Sequence, residues 1–273
     1  MAPFCCCNFK NLYKIHTFNR MENIEGKAST PVVKSNVTNQ TGIFKGGVFR
    51  LLFRIVKLAF IFFVLSSIFF VILFRFVNPP VTLLMIERGF ERKADGKDWK
   101  IDKQWKNFDE IGGPMILAAV AAEDQSFLEN HGFDFKSIEK AIKKNAHSKK
   151  LIGGSTITQQ TAKNVFLWPG RSFVRKGFEA WFTLLMDVFW SKKRVMEVYL
   201  NVLETGDGIY GVEAASQAYF HKPSSQLTNQ QAAAIAVIFP SPLKWSATNP
   251  TRYLRHRQYL IMKNMRRIGE LDF

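Results

Sequence analysis

Residues 58–74 read LAFIFFVLSSIFFVILF, seventeen residues without a charge, bounded by Arg54 and Lys57 before and Arg75 after. Cations that snorkel at both ends let this run reach the length a bilayer core requires, so one transmembrane helix is expected over residues 48–77. A cleaved signal peptide is the competing reading. About fifty residues precede the run, however, and Asn78-Pro79-Pro80 follows it in place of a small-x-small cleavage site. Beyond Pro80 the apolar positions become periodic. Residues 81–90 alternate weakly and predict a short strand or extended leader, and residues 96–109 predict a polar loop containing tryptophan. An ordered domain is expected to begin near Gly113. Pro114 takes a first helical position, and MILAAVAA follows, apolar on every face, which predicts a buried helix.

A chain of helices follows. One is predicted over residues 135–146, one over 156–167 that stops at Trp168-Pro169-Gly170, and one over 173–190 capped by Ser172. The next opens at Ser191-Lys192-Lys193-Arg194 and is ended by Gly206, and further helices are expected over 212–220, 228–239 and 252–267. Pro240 and Pro242 stop the one over 228–239, and the last is basic and amphipathic. The many Phe and Trp side chains of residues 173–190 suggest a surface that touches lipid.

The charge separates along the chain. The net charge is +16, of which residues 1–57 contribute +7 from nine Lys/Arg and two Glu. By the positive-inside rule the basic N-terminal arm, residues 1–47, stays in the cytoplasm as a disordered segment, and everything beyond Pro80 lies outside. Cys5, Cys6 and Cys7 all sit on that arm, so the outer domain has neither a disulfide framework nor a thiolate metal site. Met21 offers an alternative start that would remove them, which an intact mass distinguishes.

Candidate chemistry gathers at three places. The buried helix runs into Glu123 and Asp124, and a carboxylate partly desolvated there has a raised pKa suited to acid or base work. A pair of acids at a solvated helix end is the plainer reading. GGSTITQQTAKN, residues 153–164, carries a T-x-x-Q capping box from Thr156 to Gln159, and its backbone N–H groups are expected to face an anion. On a helical period Thr156, Gln160, Lys163 and Asn164 share one face; the alternative is an ordinary capped surface helix. In the following helix Arg175, Glu179, Thr183 and Asp187 share a face, and Arg175 with Glu179 also reads as a plain i,i+4 pair.

Other chemistries are excluded. GDGIYG, residues 206–211, matches G-x-G-x-x-G, but a helix is predicted before it and no acid occurs between Glu213 and Glu270, so it reads as a tight turn between helices. The five histidines contain no H-E-x-x-H. Two S-x-x-K matches, at Ser137 and Ser241, lack the S-D-N and K-T-G partners of a penicillin-binding site. No RNA-binding signature or zinc-finger spacing is present, so no nucleic-acid partner is expected.

In combination, AEDQSF at 122–127 with HGFD at 131–134, GGSTITQQTAKN, RKGFEA at 175–180, KKRVMEVYLN and GDGIYGVEAASQAYF resemble the peptidoglycan glycosyltransferases of family 51, in order and spacing most like their monofunctional branch. The resemblance covers roughly residues 80–265. It implies a mainly α, lysozyme-like helical domain with a membrane-associated jaw, assigned to residues 78–270, that polymerises lipid II into linear glycan strands. The chemistry implied is inverting attack of an acceptor sugar 4-hydroxyl on a lipid-pyrophosphate-linked donor chain.

The same resemblance implies Glu123 as the general base and Glu179 as the group that assists departure of the pyrophosphate, directly or through a divalent cation. Lys163 and Arg175 are implied to hold the pyrophosphate, with Ser155, Thr156, Gln160 and Asn164 as polar contacts and Asp124 and Phe127 shaping the first motif. No tightly bound cofactor is expected, Mg2+ or Mn2+ being the divalent candidates. Expected partners are lipid II, the growing undecaprenyl-linked glycan and the cytoplasmic (inner) membrane, with other cell-wall synthases or division proteins as protein partners. Two departures stand out: Asn130 occupies a position where the family often has His, with His131 next, and Asp187 stands where Glu is frequent. The alternative function is a lysozyme-like glycan-cleaving enzyme, a hydrolase or lytic transglycosylase, which has no need of a diphosphate cluster.

Overall fold

The computed structural model describes residues 43–147, 154–170 and 172–273. These belong to two units, one ending at Phe53 and one running from Arg54 to Phe273. Residues 1–42, which hold the three cysteines, Met21 and most of the arm read as disordered, lie outside the described residues. Residues 43–47, assigned to that arm, are already helical.

Helix α1, Ile43–Phe76, carries the apolar run, and its stretch Val48–Phe76 is long and apolar enough to cross a membrane. The hydroxyls of Ser66 and Ser67 donate back to the carbonyls of Phe63 and Val64, so neither is left unpaired among apolar side chains. The end of this helix is fastened by polar groups of the folded domain. Trp190 Nε1 donates to the Val71 carbonyl at 2.7 Å, and the Arg194 guanidinium donates to the carbonyls of Phe74 and Val77 and to Asn78 Oδ1. A helix leaves its last carbonyls without partners, and one arginine supplies several of them here.

Residues 83–90, within the stretch expected to be extended, are helical. Thr82 caps α2, Leu83–Ala94, by accepting from Met85 N, and Met85 and Gly89, four residues apart, turn inward while Leu83, Ile86 and Phe90 stay exposed. A short amphipathic helix with few inward positions resembles weak alternation in sequence. The expected loop follows, holding β1, Asp102–Lys103, and a 3-10 turn, Phe108–Glu110.

The remaining helices are α3, Gly113–Glu123, α4, Phe135–His147, α5, Ile157–Phe166, α6, Phe173–Phe189, and α7, Lys192–Val202. After β2, Glu204–Gly206, and β3, Ile209–Tyr210, come α8, Val212–Phe220, α9, Asn229–Ile238, and α10, Arg252–Ile268. Buried α3 packs on α9 and α10, and α5 packs between α6 and α7. Alanines on α3 and α9 (Ala118, Ala119, Ala232, Ala233) let the two helices approach closely and bury the backbone between them.

The glycine-rich stretch is a hairpin, which corrects its reading as a turn between helices and moves the end of α7 back from Gly206 to Val202. β2 and β3 pair antiparallel, and β1 joins β3 in parallel to give the order β1-β3-β2. Asp207-Gly208 makes the turn with Gly208 at φ 72°. Gly211 has φ 81°, and a Cβ there would lie 2.9 Å from the Asn201 carbonyl oxygen, so glycine serves packing and not a nucleotide.

Asn201, 1% exposed, joins α7 to the loop before α3: its side chain accepts from Lys106 N and donates to the carbonyls of Lys106 and Glu197. Replacing Asn201 with Ala strands Lys106 N–H and C=O in the interior. The expected cost is about 1–3 kcal/mol, read as a thermal midpoint several degrees lower for the detergent-solubilised protein. An unchanged midpoint would show that solvent replaces the amide.

Candidate active site

Helix α3 ends at Glu123, and Asp124 is its C-cap. The two adjacent carboxylates take different environments. Asp124 is 6% exposed and fully engaged: both its oxygens accept from Asn130 Nδ2 at 3.0 Å, Oδ2 accepts from Ile157 N at 3.1 Å, and Oδ1 accepts from Ser126 Oγ at 3.3 Å. It therefore ties the end of α3 to the first residue of α5. Asn130, where a histidine was looked for, holds that carboxylate, while the His131 side chain is 95% exposed. Lys192 completes the support from α7 by donating to the Asn130 carbonyl and to its Oδ1.

This arrangement corrects the expectation of an anion seat on the backbone of α5. Thr156 does cap the helix with Gln159 in a reciprocal capping box, as expected. Ile157 N–H, however, is taken by Asp124 and Gln159 N–H by Thr156 Oγ1, and the Thr156 hydroxyl donates to the Gly132 carbonyl at 2.6 Å. The protein's own carboxylate occupies the place a phosphate would need. Thr156 is 2% exposed and Phe127 is fully buried under the Lys192 ammonium, 5.0 Å from the ring centroid, so both shape the motif from within.

Glu123 is half-buried and keeps a free face. Its Oε2 accepts from Gln160 Nε2 at 2.8 Å, and the Gln160 oxygen in turn lies 3.5 Å from the hydroxyl of fully buried Tyr199. Burial pushes the Tyr199 phenol well above its usual range, so it stays a neutral donor and sets which way the Gln160 amide points. Burial also raises the Glu123 carboxyl. The Gln160 hydrogen bond and the charges of Arg257 and Lys163 oppose that shift, and Asp124 adds to it. Tyr199 and Arg257 were not singled out from sequence. Both lie on helices distant in the chain, α7 and α10, and an aromatic or basic residue in such a helix carries no local mark of facing a site.

Two cavities flank this glutamate. The first, about 480 Å3, is lined by Glu123, Asp124, Ser126, Asp134, Ser155 and Thr156, with Lys136 and Lys140 at its edge. The second, about 370 Å3, is lined by Gln160, Lys163, Asn164, Arg175 and Trp168, with Arg88 and Glu204 also on its wall. Gln160 stands between them, lining one cavity while bonded to the carboxylate of the other.

The second cavity is cationic and short of partners. Arg175 is 9% exposed with a buried Nε that has no hydrogen-bond partner, and its guanidinium reaches Glu179 only at 3.9 Å. Lys163 is half-buried; burial lowers its pKa and the charge of Glu179 opposes that. Glu179, 4% exposed, is held by Lys176, which also donates to Ser155 Oγ at 3.2 Å. Glu179 is not on either cavity wall: it lies behind the cations and fixes them. The shared face expected on α6 is buried, with Thr183 bonded to the Glu179 carbonyl and Asp187 3.9 Å from Lys192, where an aspartate suffices.

Among the described residues no three His, Cys, Asp or Glu side chains gather, and Glu179 is flanked by Arg175 and Lys176. The aromatic face of α6 divides in two. Trp181 and Phe178 pack on α1, through a hydrogen bond to Ser67 and a ring contact with Phe63, while Phe173, Val174, Leu184 and Val188 are exposed.

Residues 94–266 match the family model described as Transglycosylase. A protein of Caulobacter vibrioides named biosynthetic peptidoglycan transglycosylase is 49% identical over 214 residues, 78% of this chain and 91% of that protein. Proteins of the same name from Pseudomonas fluorescens strain Pf-5 and Pseudomonas aeruginosa are 42% and 41% identical over 224 residues. That is 82% of this chain and 93% and 97% of theirs.

Arg257 is one of the charges that hold the Glu123 pKa down, so its removal should raise that pKa further. If Glu123 works as a base, Arg257→Gln shifts the acid limb of the pH–rate profile to higher pH relative to the unsubstituted protein. An acid limb that does not move would place Arg257 outside the electrostatics of the site.

Proposed function

The chain belongs to the biosynthetic peptidoglycan transglycosylase family, and on that premise we propose that its two cavities are the acceptor and donor sites of one glycosyl transfer, with Glu123 as the base between them. The protein is a peptidoglycan glycosyltransferase with a lysozyme-like helical domain. It polymerises glycan strands, with lipid II and the growing glycan as substrates.

The observation that carries the assignment of sites is the Gln160–Glu123 hydrogen bond at the junction of an acid-lined cavity and a cation-lined one. The acceptor sugar enters the first cavity with its 4-hydroxyl against Glu123, whose raised pKa suits a base working near neutral pH. The lipid diphosphate of the donor chain lies in the second, where the buried Arg175 Nε gains the partner it lacks and the Lys163 ammonium lies beside it. Attack on the anomeric carbon at the junction breaks its bond to the diphosphate with inversion. The proton passes to Glu123 and the electron pair to the diphosphate oxygen, where fixed cations are worth most because the site is partly dry. Glu179 acts through Arg175, Lys176 and Lys163 by holding them in place. A divalent cation, Mg2+ or Mn2+, would arrive on the diphosphate, since this chain offers it one already compensated carboxylate.

Glycan cleavage fits less well. It calls for two carboxylates poised about one bond. The other acids beside Glu123 are committed: Asp124 to Asn130 and Ile157, and Asp134 to Ser126 and Ser137, which hold its pKa at about 2. In the membrane, we assign α1 as a single-pass anchor of the inner membrane with the basic arm inside and the catalytic domain outside. The charge distribution and the exposed apolar side chains of α6 support that orientation. Other cell-wall synthases or division proteins are the partner class such an anchored enzyme would meet.

Purified full-length protein supplied with labelled lipid II should yield a ladder of glycan polymer; release of fragments from preformed glycan, or no turnover, would overturn the reading. Glu123→Gln keeps the side-chain size and an unaltered thermal midpoint while lowering the rate by about 10²–10⁴-fold, the range a general base contributes.

A further inference from the structure

The donor cavity has a far wall that the diphosphate does not explain. α2 precedes the residues that match the family model, yet it places Leu84 and Arg88 on this wall, beside Glu204 of β2. Arg88 is held from two sides. Its Nε and Nη2 donate to Glu204 Oε1 and Oε2 at 2.9 and 3.5 Å, and its Nη1 donates to Glu91 Oε2 at 2.5 Å. A guanidinium has five N–H donors, so one remains on each terminal nitrogen, in fixed directions.

The charge around Arg88 differs from that around Lys163 and Arg175. One cation faces two carboxylates here, which makes this wall a poor seat for a second anion. It offers instead directed donors beside a carboxylate acceptor, with apolar Leu84, Leu203 and Phe239 on the same cavity. Paired donors and acceptors next to an apolar surface are the complement of a sugar ring, which is hydroxylated at its edge and apolar on its face.

We propose that Arg88, held by Glu204, forms a glycan subsite of the donor cavity, binding hydroxyl and amide groups of the diphosphate-linked sugar chain and holding the growing strand between successive transfers. The subsite rests on the donor assignment made above. Arg88 is a binding residue in this scheme, and Glu204 and Glu91 position it.

Arg88→Lys in the full-length protein keeps the charge and removes the fork. Polymer made from lipid II by this variant should be several-fold shorter on average than that of the unsubstituted protein. KM for a preformed lipid-linked glycan donor should rise about tenfold, the worth of one charge-assisted hydrogen bond, with the loss falling on KM and chain length more than on kcat. Length and KM both unchanged would overturn the subsite. The unsubstituted protein supplies an independent measure that no folding defect can affect. With a donor chain carrying a diazirine on the sugar next to the diphosphate, crosslinks should map to residues 83–94 or to Glu204, and crosslinks confined to α5 and α6 would overturn the proposal. A protein that makes no polymer at all refutes the donor assignment itself, whereas one that polymerises normally and ignores Arg88 refutes only the subsite.

Discussion

Everything at this site depends on one buried carboxylate with both oxygens engaged in hydrogen bonds. Asp124 accepts hydrogen bonds from Asn130, Ser126 and the backbone of Ile157, and so joins the end of α3, the loop after it and the start of α5. Burying a carboxylate is costly unless donors surround it, and the four hydrogen bonds here offset that cost only in one arrangement of the three segments. That arrangement puts Glu123, one residue earlier, at the mouth of a cavity with its free face toward solvent. Neighbouring acids thus differ: one has both oxygens engaged, and the other, among the described residues, accepts from Gln160 alone and has a raised pKa.

The same connection sets which groups of α5 stay open to the second cavity. Asp124 takes the first amide of α5, and the cavity one to two turns further along is lined by Lys163 and Asn164 and, across on α6, by Arg175. Among the described residues the Arg175 guanidinium comes no nearer to a carboxylate than 3.9 Å, at Glu179. Fixed charges of this kind need no reorganisation when a leaving group develops charge beside them. Glu179 keeps them apart and oriented from behind, with Lys176 as its direct partner.

The anchor is joined to this machinery by the domain's own polar groups. Trp181 of α6, Trp190 at its C-cap and Arg194 of α7 bind successive turns of α1, at Ser67, Val71 and Phe74. Helix α6 thereby carries Arg175 and Glu179 toward the site on one face, packs on the apolar helix with another, and leaves Phe173 and Val174 exposed. A substrate with a lipid tail and a diphosphate needs these surfaces within a few turns of each other, and one helix presents them.

Much was legible in the chain because it is local. The apolar run, the capping residues Thr156, Ser172, Ser191 and Thr228, and the all-apolar turn before Glu123 each declare themselves within about four residues, the reach of helical hydrogen bonding. Local signals also fall short. Thr82 caps α2 within a stretch whose weak alternation reads as extended, and residues 206–211 read as a turn between helices but build a hairpin against Asn201. By itself the sequence determined the helices, the membrane run and the residue types of the site. Only the tertiary structure decided which groups are spent and which are free: that Asp124 occupies the start of α5, that Asn130 supports it, that Gln160 and the charge of Arg257 act on Glu123, and that Arg88 reaches the cation-lined cavity. The reason is that a side chain's role follows from the partners that surround it, and at this site those partners come from helices tens of residues apart.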